Sequence, residues 1–403
     1  MGRSKKVGAG REEIKREKAD YKRFFSIVNK HLVFYSESSG FFKYYQGIIE
    51  YLLEHTNITI HYITSDPYDQ IFELAKEHEN IKAYYISEKR LITLMMKLDT
   101  DIMIMTMPDL ENYHIKRSYV RADIEYIFIP HSMCSLNLTM RKGSMDHYDT
   151  LFCSGIHQKE EAEKTGEVYN LPERKLVEWG YCLLDTMREQ YINFTTENKS
   201  KMKEMTILIA PSWQEGNIID SCMDEMLDSL CGNGYRVILR PHPQHVRHQP
   251  EKMEQLKERF KNNKDIEIQT DFSSNDTVFL ADMMITDWSG IAYEYSFTTY
   301  KPVVFVDTPL KIMNPEYQMI DTEPFNIWVR EKIGKIVKTE DVSNIDKVVE
   351  QIIDEIESYK YNIEILAKEY VYNLDNSAEV GAKYIINSLK KKIEEKKNVA
   401  SQS

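Results

Sequence analysis

Polar residues suited to gripping phosphate or moving a proton recur in this chain just behind apolar runs. His131 follows Glu125–Pro130 (EYIFIP), and Ser212 and Trp213 follow Met205–Pro211 (MTILIAP). Arg240 and His242 close YRVILRPH, and Thr286, Asp287, Ser289, Gly290 and Glu294 lie in or just after MMIT. A histidine can take a proton near neutral pH, as a general base must. An arginine can hold phosphate oxygens in a bidentate fork. The prolines flanking His242 stiffen its loop and cut the entropy lost in aiming the ring. Asp287 and Ser289 fit an N-cap, Gly290 lets the backbone approach a ligand, and a helix start beyond them offers free N–H groups to a phosphate. Each residue also has a plain structural reading: a packed histidine, a rigid turn, an ordinary cap. The coincidence at successive strand ends is what favours a site. His245 and His248 read as loop residues.

The elements that must hold these residues alternate between short apolar strands and longer helical stretches. Strands are expected at 31–36, 58–63, 81–86, 101–105, 125–130, 149–154 and 174–180, then at 205–210, 235–240, 266–269, 283–286 and 303–307. That alternation predicts α/β architecture with parallel sheets covered by helices on both faces. The pattern runs twice, giving two doubly wound, Rossmann-like domains facing a central cleft. Such sheets bind ligands beyond the carboxyl ends of their strands. The expected division is a basic leader (1–30), a first domain (31–190), a linker (191–204), a second domain (205–375) and a C-terminal helix with a basic tail (376–403). Beyond Pro309 no strand is expected, only two or three closing helices.

Composition narrows the function classes. The formal charge of -12 argues against general nucleic-acid binding. The first thirty residues run against that balance, with ten Lys or Arg and four acids, and the tail carries KKKIEEKK. Basic ends can hold a protein at an anionic membrane surface, or simply be solvated termini. No apolar run approaches the roughly 18 residues that span a bilayer, and no apolar segment follows the basic start as a secretory signal would require. The expectation is a cytoplasmic protein, peripheral at most on the inner face of the cell membrane. Five scattered cysteines read as reduced thiols. There is no P-loop, no G-x-G-x-x-G and no metal-ligand spacing, so neither a metal nor a cofactor is expected. Asp99-Thr100-Asp101 precedes a strand and reads as a turn.

With these residues placed, the chain resembles the CDP-glycerol glycerophosphotransferase family of teichoic-acid primases and polymerases. The carriers are Ala210-Pro211-Ser212-Trp213, similar to A-P-T-[FWY]; Arg240-Pro241-His242-Pro243, similar to R-x-H-P; and Thr286-Asp287-Trp288-Ser289-Gly290, similar to [ST]-D-[YW]-S-S. Glu294 and Lys301-Pro302 match an acidic position and K-P. The resemblance implies a GT-B fold and transfer of glycerol phosphate from the donor CDP-glycerol to a hydroxyl of a cell-wall or capsule polymer or a lipid-linked acceptor, releasing CMP. It implies His131 as the base, His242 on the donor phosphates, and Ser212, Trp213, Arg240, Thr286, Asp287, Ser289, Gly290 and Glu294 around the donor. Two departures stand out: the family's H-G-T is His131-Ser132-Met133 here, and its second serine is Gly290. The alternatives are a GT-B glycosyltransferase or nucleotide-sugar epimerase acting on a UDP-sugar, and a non-catalytic nucleotide-binding scaffold. The transferase reading requires the two imidazoles to face a shared gap.

Overall fold

The computed structural model describes residues 2–28, 30–198 and 204–402, and two compact units emerge from it. The first takes the chain up to His131, then Met140–Leu183, and again from Asn376 onward. The second comprises Ser132–Thr139 and Leu184–Asp375.

In the first unit the strands are β1 (Leu32–Ser36), β2 (Ile60–Thr64), β3 (Ile81–Tyr85), β4 (Ile102–Met105), β5 (Glu125–Phe128), β6 (Thr150–Cys153) and β7 (Lys175–Glu178). They pair in parallel in the order β3-β2-β1-β4-β5-β6-β7. Every residue of β1, β2, β4, β5 and β6 is buried, as unbroken apolar runs require when helices cover both faces. The second unit holds β8 (Thr206–Ile209), β9 (Arg236–Leu239), β10 (Ile266–Ile268), β11 (Met283–Thr286), β12 (Val303–Asp307) and β13 (Gly334–Lys338), in the order β10-β9-β8-β11-β12-β13. In each sheet the strand order reverses once, between β1 and β4 and between β8 and β11. Those are the switch points where such sheets take ligands.

β13 corrects the expectation of irregular chain beyond Pro309. GKIVK is an edge strand whose lysines break the apolar run. It pairs with β12, and a Cβ on Gly334 would sit 1.6 Å from the Val303 carbonyl oxygen, so only glycine fits there. The basic leader is also more than a tail. Gly2–Ser26 is a helix, and its buried acids bind the sheet: Asp20 accepts the Tyr85 N–H and Glu17 accepts the Ser87 N–H (both 3.0 Å). Part of its basic charge is engaged within the unit, with Arg16 over the Phe72 ring and Arg23 paired with Asp20.

The expected linker 191–204 begins inside a helix, Cys182–Glu197, and the second unit resumes at Leu184. Residues 199–203 lie outside the described residues. The C-terminal helix, Ser377–Gln402, belongs to the first unit. It packs on the helix Phe42–His55 where both carry small residues. A Cβ on Gly381 would meet Trp179 Nε1 at 2.7 Å and Ile48 Cδ1 at 2.8 Å, and one on Gly47 would meet Ala378 at 3.0 Å.

Candidate active site

In the first unit His131 lies two residues beyond the strand-end pair Phe128-Ile129, and its ring is oriented by the end of the neighbouring strand. Its Nδ1 lies 3.2 Å from the carbonyl oxygen of Thr106, the residue after β4. A carbonyl can only accept, so Nδ1 carries the proton and Nε2 keeps its lone pair. Thr106 is itself pinned, since its N–H donates to the Tyr45 hydroxyl (2.8 Å), which donates to the Tyr35 carbonyl (2.7 Å). Phe41 meets the imidazole edge-on at 5.9 Å, with Tyr44 at 6.1 Å. Desolvation by these neighbours holds the His131 pKa below the usual histidine value. Lys43 pushes the same way, and the Thr106 carbonyl opposes both. The ring is thus neutral at neutral pH with a basic nitrogen available. Glu37 follows the end of β1, by the switch point. Burial, helped by Glu88, pushes its carboxyl up.

In the second unit Asp287 ties the switch point together. It is 1% exposed. Its Oδ1 accepts the Ser212 N–H at 2.7 Å, and its Oδ2 accepts the Ile218 N–H (3.3 Å) and the Thr308 hydroxyl (3.4 Å). Both carboxylate oxygens are therefore engaged with the loop beyond β8 and with the end of β12. Asp287 shapes the loop beyond β8; it does not cap its own helix. Thr286 is buried and donates its hydroxyl to the Ala210 carbonyl at 2.6 Å, clamping β11 to the end of β8. The Trp288 indole donates to the Thr308 carbonyl (2.8 Å) and carries the Arg330 guanidinium 4.0 Å from its ring centroid.

Ser289 is buried and Gly290 opens the helix Ile291–Thr299, with Glu294 in its first turn. A Cβ on Gly290 would stand 3.1 Å from Ser132 Oγ and 3.5 Å from Cys134 Sγ. The two departures from the family pattern, at 132 and 290, are thus neighbours in space. Residues after Ser132 are bound into this unit: the Ser135 N–H donates to Asn326 Oδ1 (2.7 Å) and Asn137 Nδ2 donates to the Tyr317 carbonyl (2.6 Å).

The loop beyond β9 carries His242 and Arg240 in different roles. His242 caps the short helix Pro243–His248, its Nδ1 accepting the Gln244 N–H at 3.2 Å. In the neutral ring the proton then sits on Nε2. Arg240 is buried, and its Nη1 reaches Gln269 Oε1 (3.0 Å), the Ser274 carbonyl (3.1 Å) and Thr277 Oγ1 (3.0 Å). One nitrogen of the fork expected to grip phosphate is thus braced against the loop that leads to β11. Ser212 is 2% exposed, and its hydroxyl has no hydrogen-bond partner among the described residues.

His245 is not a loop residue. It is buried, edge-on to Trp213 at 4.8 Å, and its Nε2 lies 3.2 Å from Asn217 Nδ2. Asn217, not singled out by the sequence, caps the helix beginning at Ile218 and links the loops beyond β8 and β9. Lys311 was missed as well. Its Nζ reaches the Trp213 carbonyl (3.4 Å), and its charge is felt at Cys134. Among the described residues no group of three or more His, Cys, Asp or Glu side chains is placed to hold a metal ion.

The sequence profile of the CDP-glycerol:poly(glycerophosphate) glycerophosphotransferase family matches residues 21–379. Among solved structures, the wall teichoic acid polymerase TagF superposes with a TM-score of 0.60 at 13% identity, covering 97% of this chain and 98% of that chain. UDP-GlcNAc 2-epimerase from Neisseria meningitidis, bound to UDP-GlcNAc, gives 0.58 at 14% identity, over 89% of this chain and all (100%) of that one. At these identities the likeness is one of fold. No curated protein sequence matches the chain significantly.

Proposed function

The chain belongs to the CDP-glycerol:poly(glycerophosphate) glycerophosphotransferase family and is a CDP-glycerol glycerophosphotransferase with a GT-B-type α/β fold, and from that premise we propose which residues carry the transfer. An acceptor hydroxyl attacks the glycerol-side phosphorus of CDP-glycerol. His131 Nε2 takes the hydroxyl proton as the new P–O bond forms. The bond to the bridging oxygen breaks, and CMP leaves with that oxygen and its electron pair. The observation that carries this role is the Nδ1 bond to the Thr106 carbonyl, which leaves Nε2 as the basic atom.

The second unit takes the donor. His242 Nε2–H, the backbone N–H groups following Ser289, and Lys311 stabilise the charge that develops on the diphosphate. Positioned donors and cations of this kind supply most of the catalysis in phosphoryl transfer. Asp287, Thr286 and Arg240 hold those groups in place. Trp213, Ser212 and Glu294 line the nucleotide side. The acceptor is a hydroxyl on a cell-envelope polymer or a lipid-linked primer, and the enzyme works as a peripheral protein at an anionic membrane surface. No helix among the described residues is long and apolar enough to cross a bilayer.

The test is a donor panel. Purified protein is incubated with CDP-glycerol, CDP-ribitol and UDP-GlcNAc, each with a glycerol-phosphate-primed acceptor, and released nucleotide is measured. CMP from CDP-glycerol with a lengthened acceptor is expected. Turnover of UDP-GlcNAc with none of either CDP-polyol would favour the sugar-nucleotide alternative, to which the epimerase-like fold is equally suited.

A further inference from the structure

The first unit contains a recess at the opposite end of its sheet from His131. It lies by the starts of β1 and β2, between the last turn of the helix 42–55 and the middle of the C-terminal helix, and has a volume of about 1100 Å³. The two helices touch through Gly47, Ala378 and Gly381, and the groove opens beyond that contact. Tyr51, Ile58, Ile386, Leu389 and Ile393 supply apolar wall, and Val28, 76% exposed, borders it.

The charge of this groove runs against the chain. Asp and Glu outnumber Lys and Arg by 64 to 52 overall, yet no acidic residue lines the groove, while Lys82, Lys383 and Lys390 do. Lys383 pairs with Glu379 one turn back. Lys82 and Lys390 have no ion-pair partner among the described residues. His61, buried in the same wall with Nδ1 on the Tyr84 hydroxyl, is pushed down to about 4 by burial and then by Lys30, Lys82 and His31. A local positive field over apolar walls suits a molecule with a hydrocarbon tail and an anionic head.

We infer that this groove takes an acyl chain of an anionic phospholipid, with the headgroup phosphate at Lys82 and Lys390, and so seats the enzyme on the membrane. This gives a place to the membrane association proposed above and does not depend on the transfer chemistry. Lipid-bound protein would present the groove, Val28 and the C-terminal helix to the bilayer.

The experiment is co-sedimentation of the full chain with two kinds of vesicle, one of phosphatidylcholine alone and one of equal phosphatidylcholine and phosphatidylglycerol. Three proteins are compared: wild type, Lys82→Gln/Lys390→Gln, and Ile386→Trp, which fills the groove without changing charge. Wild type is expected to sediment with the phosphatidylglycerol vesicles only. The double lysine variant should bind at least about tenfold more weakly, each lysine near an anionic surface being worth about fivefold. Ile386→Trp should weaken binding by a similar factor. Melting temperatures and CMP release with a soluble acceptor should stay at wild-type values. Undiminished binding by a folded Ile386→Trp would overturn the groove in favour of surface attraction alone. Equal binding to both vesicles, or none, would overturn the inference while leaving the transferase assignment to its own assay. So would light scattering that showed a wild-type dimer split by Ile386→Trp without lipid binding, for the groove would then be a subunit interface.

Discussion

His131 and His242 each sit in a strand-end loop next to proline, and the two are anchored in opposite ways. His131 donates from Nδ1 to a carbonyl, whereas His242 accepts at Nδ1 from a backbone N–H. Protonating His131 at Nε2 leaves its anchor intact and even strengthens it, because the imidazolium N–H is the better donor. Protonating His242 at Nδ1 would break its bond to Gln244. One ring can gain and release a proton without moving; the other keeps its anchor only while Nδ1 accepts from Gln244. Two histidines in similar strand-end settings are therefore divided by the backbone group each one meets.

The largest break in that contrast should come at His131. His131→Ala should lower kcat/KM for CDP-glycerol by about 10³-fold, within the range that a positioned base contributes. The base must be neutral to act, so activity falls as pH drops through the His131 pKa. Desolvation places that pKa below 6.5, and the acid limb should fall there. A pH–rate profile whose acid limb lies above 6.5, or one unchanged in the variant, would remove His131 from the role.

His242 should show a smaller effect. His242→Asn keeps a good N-cap for the helix Pro243–His248 but withdraws the reach of Nε2. Denaturation midpoints should hold within about 0.5 kcal/mol, the scale of a neutral surface change. Turnover should drop about 10²-fold, typical of losing one preorganised donor. Loss of stability with unchanged turnover would make the residue a cap and nothing more.

Most strands were legible because they are short, largely apolar runs, and only β13, an edge strand with lysines on either side of Ile336-Val337, escaped. The leader helix escaped for a related reason. Its anchoring groups, Glu17 and Asp20, are acids that look solvated until the backbone N–H groups of residues 85 and 87 meet them. The strand-end rule located His131, His242 and Asp287 because it follows from sheet topology. It could not tell which of them touch ligand. Arg240 and Asp287 have the chemistry of phosphate and cap ligands, and what engages them is a set of partners 21 to 75 residues away. No local signal reports such partners. The same holds for Lys311 and His245, whose neighbours are set by tertiary packing.

Asp287 tests that engagement. Asp287→Asn replaces one acceptor oxygen by an N–H₂ group facing either the Ser212 or the Ile218 N–H. A buried donor left unsatisfied costs about 1–3 kcal/mol. Urea denaturation should register a loss of that size, with KM for CDP-glycerol rising as the loop loosens. A ligand-contacting carboxylate would instead leave stability nearly unchanged and shift binding alone.

The smallest effect concerns the neighbouring pair Ser132 and Gly290. Gly290 has φ of -63° and needs no special conformation, so the constraint on it is space. A serine there would bring its Cβ to 3.1 Å from Ser132 Oγ, which must then yield its bond from the Cys134 N–H. Gly290→Ser alone should therefore cost about 1 kcal/mol, offset by the few tenths that serine gains over glycine as an N-cap. Ser132→Gly removes the obstructing hydroxyl and restores the family's arrangement, with glycine after the histidine and serine at the helix start. The double variant should then be more stable than the sum of the single changes by about 0.5–1 kcal/mol, the coupling expected of side chains in contact. Strict additivity in the cycle would mean that the two departures are unrelated. Coupling in stability together with an unchanged KM would mean that one hydroxyl, supplied from either loop, serves the donor equally well.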